Sequence, residues 1–169
     1  MTIPDPYSQV ETGIADRIRA TLKPDFVEKD WQVSDNDYNL TFGADYFVVM
    51  RPGPFPSLPT SYKSGEIQDI DWTSFAHLYV KFIEREEQWA RFKTFRAAVI
   101  WTVMKYRFLE AVTIGSTSIA AVPAIDRIRS IEASDTATYW RFFNTPENAP
   151  PNFMHQPLRL VTRQRVRFE

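Results

Sequence analysis

Side chains that could do chemistry are present in this chain, but their spacing rarely meets a chemical demand. Asp35, Asp37 and Asn39 alternate as at the start of a calcium loop. Such a loop needs glycine at its sixth position for a sharp turn and glutamate at its twelfth as a bidentate ligand. Leu40 and Tyr46 stand there instead, so the run Ser34 to Asn39 reads as turn chemistry. The two histidines, His77 and His155, each lack a second histidine or a carboxylate at metal-ligand spacing on a helix. His77 alternates with apolar positions and is expected to face solvent or a subunit neighbour. His155 falls in a proline-rich stretch expected to be loop. Carboxylates gather at Glu66, Asp69 and Asp71, and again at Glu84, Glu86 and Glu87. Paired acids could perform acid–base work if held at the right separation. The second cluster has a simpler reading as the first turn of a helix, where the dipole favours negative charge. The first reads as a solvated or ion-paired edge. Five glycines supply neither a phosphate loop nor a dinucleotide fingerprint, and Gly115-Ser116 lacks the context of a nucleophile elbow. The absence of cysteine excludes disulfides, thiolate catalysis and cysteine-ligated zinc. No catalytic, cofactor-binding or metal-ligating residue is assigned, and no cofactor is expected.

The strongest local oddity is a row of arginines at the end of the chain. Leu158, Leu160, Val166 and Phe168 share one parity, and Arg159, Arg163, Arg165 and Arg167 share the other. That is the pattern of an amphipathic strand. Guanidinium groups on neighbouring same-face positions, about 6–7 Å apart, repel one another unless neutralised. Three readings stay open: a solvated face partly paired with the acids above, a surface for an acidic partner protein, or a surface tracking phosphates. No aromatic side chains interleave with these arginines, which counts against single-strand binding.

Stepping along the elements, the centre of the chain is Phe75 to Phe108. Ala76, Leu78, Val80 and Phe82 alternate with His77, Tyr79 and Lys81, which predicts a strand with one buried face. From Glu86 to Phe108 the apolar residues change to helical spacing. Trp89, Phe92, Val99, Val103 and Tyr106 form a stripe that Phe95, Ile100, Trp101, Met104 and Phe108 widen beyond what one sheet can cover. Trp89, Phe92 and Trp101 are therefore interface candidates, together with Phe55 in the proline-dense segment 52–65. Before this unit, Val10, Ile14, Ile18 and Leu22 step along one face of a helix opened by Asp5-Pro6 and stopped at Lys23-Pro24. Asp16, Arg17 and Arg19 are assigned to its other faces. Trp31 and Val33 read as a short strand, Tyr46 to Met50 as a central strand, and Ile67, Ile70 and Trp72 as an edge strand. After the long helix, 113–124 reads as strand, bend or inter-subunit contact. Ile125 to Glu132 and Tyr139 to Phe143 read as strands, and Asn144 to Pro157 as extended loop.

The bulk numbers fit one domain of 169 residues with a proper core. The net charge of −1, from 20 basic and 21 acidic side chains, argues against a nucleic-acid binder overall. The aromatic complement of 13 Phe, 7 Tyr and 5 Trp suits a core or protein–protein contacts. No window approaches the apolar length of a membrane span, and no secretory signal is visible, so a cytoplasm-like compartment is expected. The expected fold class is α+β: a small, mostly antiparallel sheet of four to six strands with two main helices packed against it.

The order of these parts resembles the tail terminator (tail completion, head–tail joining) proteins of tailed bacteriophages. The likeness is carried by the N-terminal helix, YFVVMRPGPFP, FAHLYVKFIER with its following helix, and NFMHQPLRLVTRQRVRF. It covers about half the chain and is one of pattern and order, without a short diagnostic motif. The segment 113–143 and the richness in aromatics depart from it. The resemblance implies a non-enzymatic virion protein, assembled in the host cytoplasm, that forms a ring, usually of six copies in that family. Its implied partners are itself, the tail tube protein and the neck or stopper protein, with no membrane and with DNA only as cargo passing through the lumen. The alternatives are another neck or head-completion connector, a small hydrolase using the acid clusters with His77, and a nucleic-acid binder using the C-terminal arginines.

Overall fold

A computed structural model describes residues 7–22, 26–28, 45–57, 65–81, 84–123, 125–140 and 153–167. Its elements, in chain order, are α1 (Tyr7–Leu22), β1 (Phe26–Glu28), β2 (Tyr46–Pro52), β3 (Ile67–Lys81), α2 (Arg85–Lys105), β4 (Val112–Ile114), β5 (Thr117–Ile119), β6 (Ile125–Ala133), β7 (Thr138–Trp140) and β8 (Phe153–Arg167). The fold is α+β. A six-stranded sheet runs β1-β2-β3-β8-β6, with β7 also pairing β8, and β4 and β5 form a separate hairpin. All pairings are antiparallel except β1 with β2.

The spine is the pair β3 and β8, fifteen residues each, in unbroken register from Ile67↔Arg167 to Lys81↔Phe153. At about 3.4 Å per residue that ribbon is roughly 50 Å long. The segment around Ile67, Ile70 and Trp72, expected as an edge strand leading into the core unit, is the first half of β3, with β8 pairing it on one side while β2 pairs only Ser74–Val80 on the other. One sequence expectation is corrected here. The expected loop up to Pro157 ends earlier, with residues 153–157 already in β8. Pro157 is tolerated because β6 and β7 pair β8 on either side of it.

Alternation then sorts side chains onto two faces. Val48, Met50, Ala76, Leu78, Val80, Met154, Leu158 and Leu160 point to the helices and are buried with Val10, Ile14 and Ile18 of α1 and Phe92, Phe95, Val99 and Val103 of α2. Polar ties fix α2 in place. Gln88 donates through Nε2 to the Val80 carbonyl at 3.0 Å, Arg91 donates to the Tyr46 hydroxyl at 2.8 Å, and Arg96 donates to Gln156 Oε1 at 2.9 Å. The helix ends at Lys105; residues 106–108, expected to be helical, form a turn. Leu109 closes it at φ 52°, a conformation costly for a non-glycine residue, and is buried there.

Arg17 was assigned to an outer face of α1 and is instead buried. Its guanidinium donates to the carbonyls of Gly13 at 2.7 Å and Glu110 at 2.6 Å. It pins the segment after α2, with the β4–β5 hairpin, against the side of α1. Burial lowers its pKa, against the pull of Asp16 and Tyr106, yet guanidinium stays charged at any ordinary pH. The caps expected at Asp5 and Pro24, the strand at Trp31 and Val33, the turn at 34–39, Phe82, Phe168 and residues 58–64 and 141–143 of the expected loop and strand lie outside the described residues.

Candidate subunit interface

The outer face of α2 is built by helical geometry. Turning Phe92, Phe95, Val99 and Val103 inward leaves Glu86, Glu87, Ala90, Lys93, Thr94, Ala97, Trp101 and Lys105 exposed on the other side. Trp101 is 57% exposed, with the Lys105 ammonium 4.7 Å from its ring centroid. Beyond the last turn, Phe108 is 43% exposed and carries the Arg107 guanidinium over its ring at 4.9 Å. Trp89 lies at the flank of the helix, edge-on to Phe92 and partly exposed. Phe92 itself is fully buried, so it is core and no interface residue; its position in the stripe coincides with the face that meets the sheet. A second exposed apolar surface is Phe55, 63% exposed and edge-on to buried Trp72, whose indole donates to Gln164 Oε1 at 2.8 Å. Ile67, 58% exposed at the start of β3, has the opposite parity to Trp72 and lies on the other sheet face.

Three of the four arginines in the row are neutralised from within the chain. On the sheet face away from the helices, Asp69 stands opposite Arg165 and Asp71 opposite Arg163. Arg165 reaches Asp69 at 3.0 Å, and Arg163 reaches Asp71 at 3.0 Å and Asp69 at 3.4 Å. Arg129 of β6 adds a 2.6 Å contact to Asp71, and Arg159 a 3.3 Å contact to Glu132. The hydrogen bond from Arg165 holds the Asp69 carboxyl below its ordinary pKa. Partial burial pushes Asp71 upward, and hydrogen bonds from Arg163 and Arg129 outweigh it, so its pKa also falls. Arg167 pairs with Ile67 in the ladder and makes no ion pair with a described residue.

The same face carries an aromatic and imidazole cluster that sequence spacing missed. Phe47 stacks on Tyr79 at 4.5 Å, Tyr79 stacks on His155 at 4.5 Å, and Phe153 meets Phe47 edge-on. Phe47, Tyr79 and Phe153 are buried. The histidines, read as separate, meet through His77 Nδ1 and His155 Nε2 at 2.9 Å. Residues 77 and 155 are diagonal neighbours, because His155 pairs with Tyr79. The signal was odd parity in two strands, and it was hidden while residue 155 was read as loop. Burial lowers both pKa values to about 4; His155 and Arg51 add to the effect at His77, and Asp135 opposes it at His155. At neutral pH the pair is therefore uncharged and one ring donates to the other.

Asp71 and His77 are six residues apart on one strand, about 20 Å, so the acids and the imidazoles form no joint constellation. Clefts of about 380 and 390 Å³ lie beside the β4–β5 hairpin against α1. Their charged lining is Asp16 and Arg19, which pair with each other at 2.8 Å. Among the described residues no cluster of three metal-ligating side chains occurs, and no helix is long and apolar enough to cross a membrane. No protein-family model and no curated protein matches this chain.

Proposed function

We propose that this chain is a non-enzymatic virion subunit, a tail terminator whose copies form a ring, six by analogy with that family, capping the tail tube and joining it to the neck. The observation that carries the reading is the pair of exposed apolar surfaces on different elements: Trp101 and Phe108 at and beyond the end of α2, and Phe55 where it leans on Trp72 of β3. A closed ring is built from heterologous contacts, each joining one patch of a subunit to a different patch of its neighbour. Two separate patches suit that demand. The α+β fold, a sheet with two helices on one side, agrees with what the family resemblance implies.

A hydrolase built on the acid cluster is the weaker reading, because Asp69 and Asp71 are engaged by Arg163, Arg165 and Arg129. A phosphate-tracking role for the arginine row is weakened by the same ion pairs. A different neck or head-completion connector would use similar surfaces, and the position of the chain in the particle separates the two. Native mass spectrometry and electron microscopy of assembled particles test the proposal. A ring of this chain at the head-proximal end of the tail tube is expected. A chain that stays monomeric at high concentration and is single or absent in the particle would overturn it.

A further inference from the structure

The exposed face of α2 has a charge arrangement that is complementary to itself. Glu86 and Glu87 stand at its start and Lys105 at its end, all exposed. Glu87 and Lys105 are eighteen residues apart, five turns of an α-helix, so they lie on the same side of the axis, about 27 Å apart. Between them run Ala90, Thr94, Ala97 and Trp101. Glu87 has no ion-pair partner among the described residues, and Lys105 is held only over the rings of Trp101 and Tyr106, at 4.7 and 5.2 Å. None of these side chains belongs to the core that α1 and α2 share with the sheet.

We infer that this face docks antiparallel on the same face of a second copy of the chain. A two-fold axis beside residue 96, midway between 87 and 105, sets Glu87 of each copy against Lys105 of the other. Both contacts form together, because the two residues share one azimuth. The same operation lays Trp101 over Ala90 and Thr94 of the second copy, whose small side chains let the ring approach. One helix face is smaller than the roughly 1,200–2,000 Å² of a standard interface, so the dimer is weak and concentration-dependent. It is also sensitive to salt, because its charge pairs lie at the rim. The pairing belongs to the free chain and does not depend on the ring reading.

Charge reversal tests it by sedimentation velocity at low salt over a concentration series. The wild-type chain should move from monomer to dimer. E87K and K105E should each weaken self-association about tenfold or more, because each reversal acts twice in a two-fold contact. Mixing the two variants should restore dimers, now heterodimers, since both charge pairs become favourable again. W101A should weaken the dimer while keeping the helical circular dichroism of the wild type. A wild-type chain that stays monomeric throughout would overturn the inference. So would reversal variants that associate as the wild type does, or a mixture no more dimeric than its parts.

Discussion

Gly13 lies where α1 and the segment after the hairpin come closest. A Cβ added there would sit 2.5 Å from Val122 Cγ2, on the side where Arg17 also reaches the Gly13 carbonyl. Alanine, ordinarily the better helix former, is therefore expected to destabilise the protein by about 1–3 kcal/mol through overpacking. Chemical denaturation of Gly13→Ala measures it; a stabilised variant would mean that Val122 yields freely. Residue chemistry also sets a pH dependence. His77 and His155 have an ordinary pKa of 6.5 and fall to about 4 in the fold. The unfolded chain thus takes up protons below pH 6.5 that the folded chain refuses until about pH 4. Stability from this pair is present above pH 6.5, declines as pH falls between those values, and is lost below about 4. One protonated ring can still donate to its neutral neighbour, so the two protonations are coupled and the second breaks the hydrogen bond. Two such shifts make the loss on the order of several kcal/mol. Unfolding free energies at pH 7.5, 5.5 and 4.5 should show it, and replacing both histidines with phenylalanine should flatten the slope over that window.

At the scale of elements, the β3–β8 ribbon extends past the helix layer, and its far half is held by cross-strand pairs. There Asp71 takes Arg163 and Arg129 together. Asp71→Asn should cost about 0.5–1 kcal/mol, since these groups are partly exposed and screened. The cost should shrink in 1 M salt, whereas a salt-independent cost would point to packing. The lowered Asp69 and Asp71 pKa values add stability that is present above their ordinary pKa of 3.8 and is lost as pH falls through the depressed values. This acid limb lies below the histidine window, so the two effects separate along a pH titration.

For the whole molecule, the proposed ring places its contacts at the exposed aromatics. Phe55 and Trp101 are over half exposed, so replacing both with serine should change stability by no more than about 0.5 kcal/mol. On the proposed ring reading, the same double variant should assemble poorly onto tail tubes. Normal assembly would mean that neither patch is an interface. A loss of stability instead would show that Phe55 matters through its contact with Trp72.

Local pattern sufficed for the main elements. Period-two alternation at 76–80 and 158–166, and the helical steps at 10–18 and 92–103, depend only on which residue types must leave water, so those two strands, both helices and the α+β class were legible from the chain alone, whereas β1, the β4–β5 hairpin and the start of β8 were not. Reading the arginine row as a partly paired face was also within reach, because strand parity puts like residues on one side. Only tertiary structure decided the partners. Fifteen-residue register between β3 and β8 brought Asp69 and Asp71 to Arg165 and Arg163, and set His155 diagonal to His77. The docking of a segment a hundred residues away turned Arg17 from a surface cation into a buried clamp on Glu110. Phe92 and Trp101 belong to one apolar stripe in sequence, and the sheet covers only the first. Composition specifies that side chains must be buried or paired; which of several candidates meets which is a property of register and packing, set by residues far away along the chain.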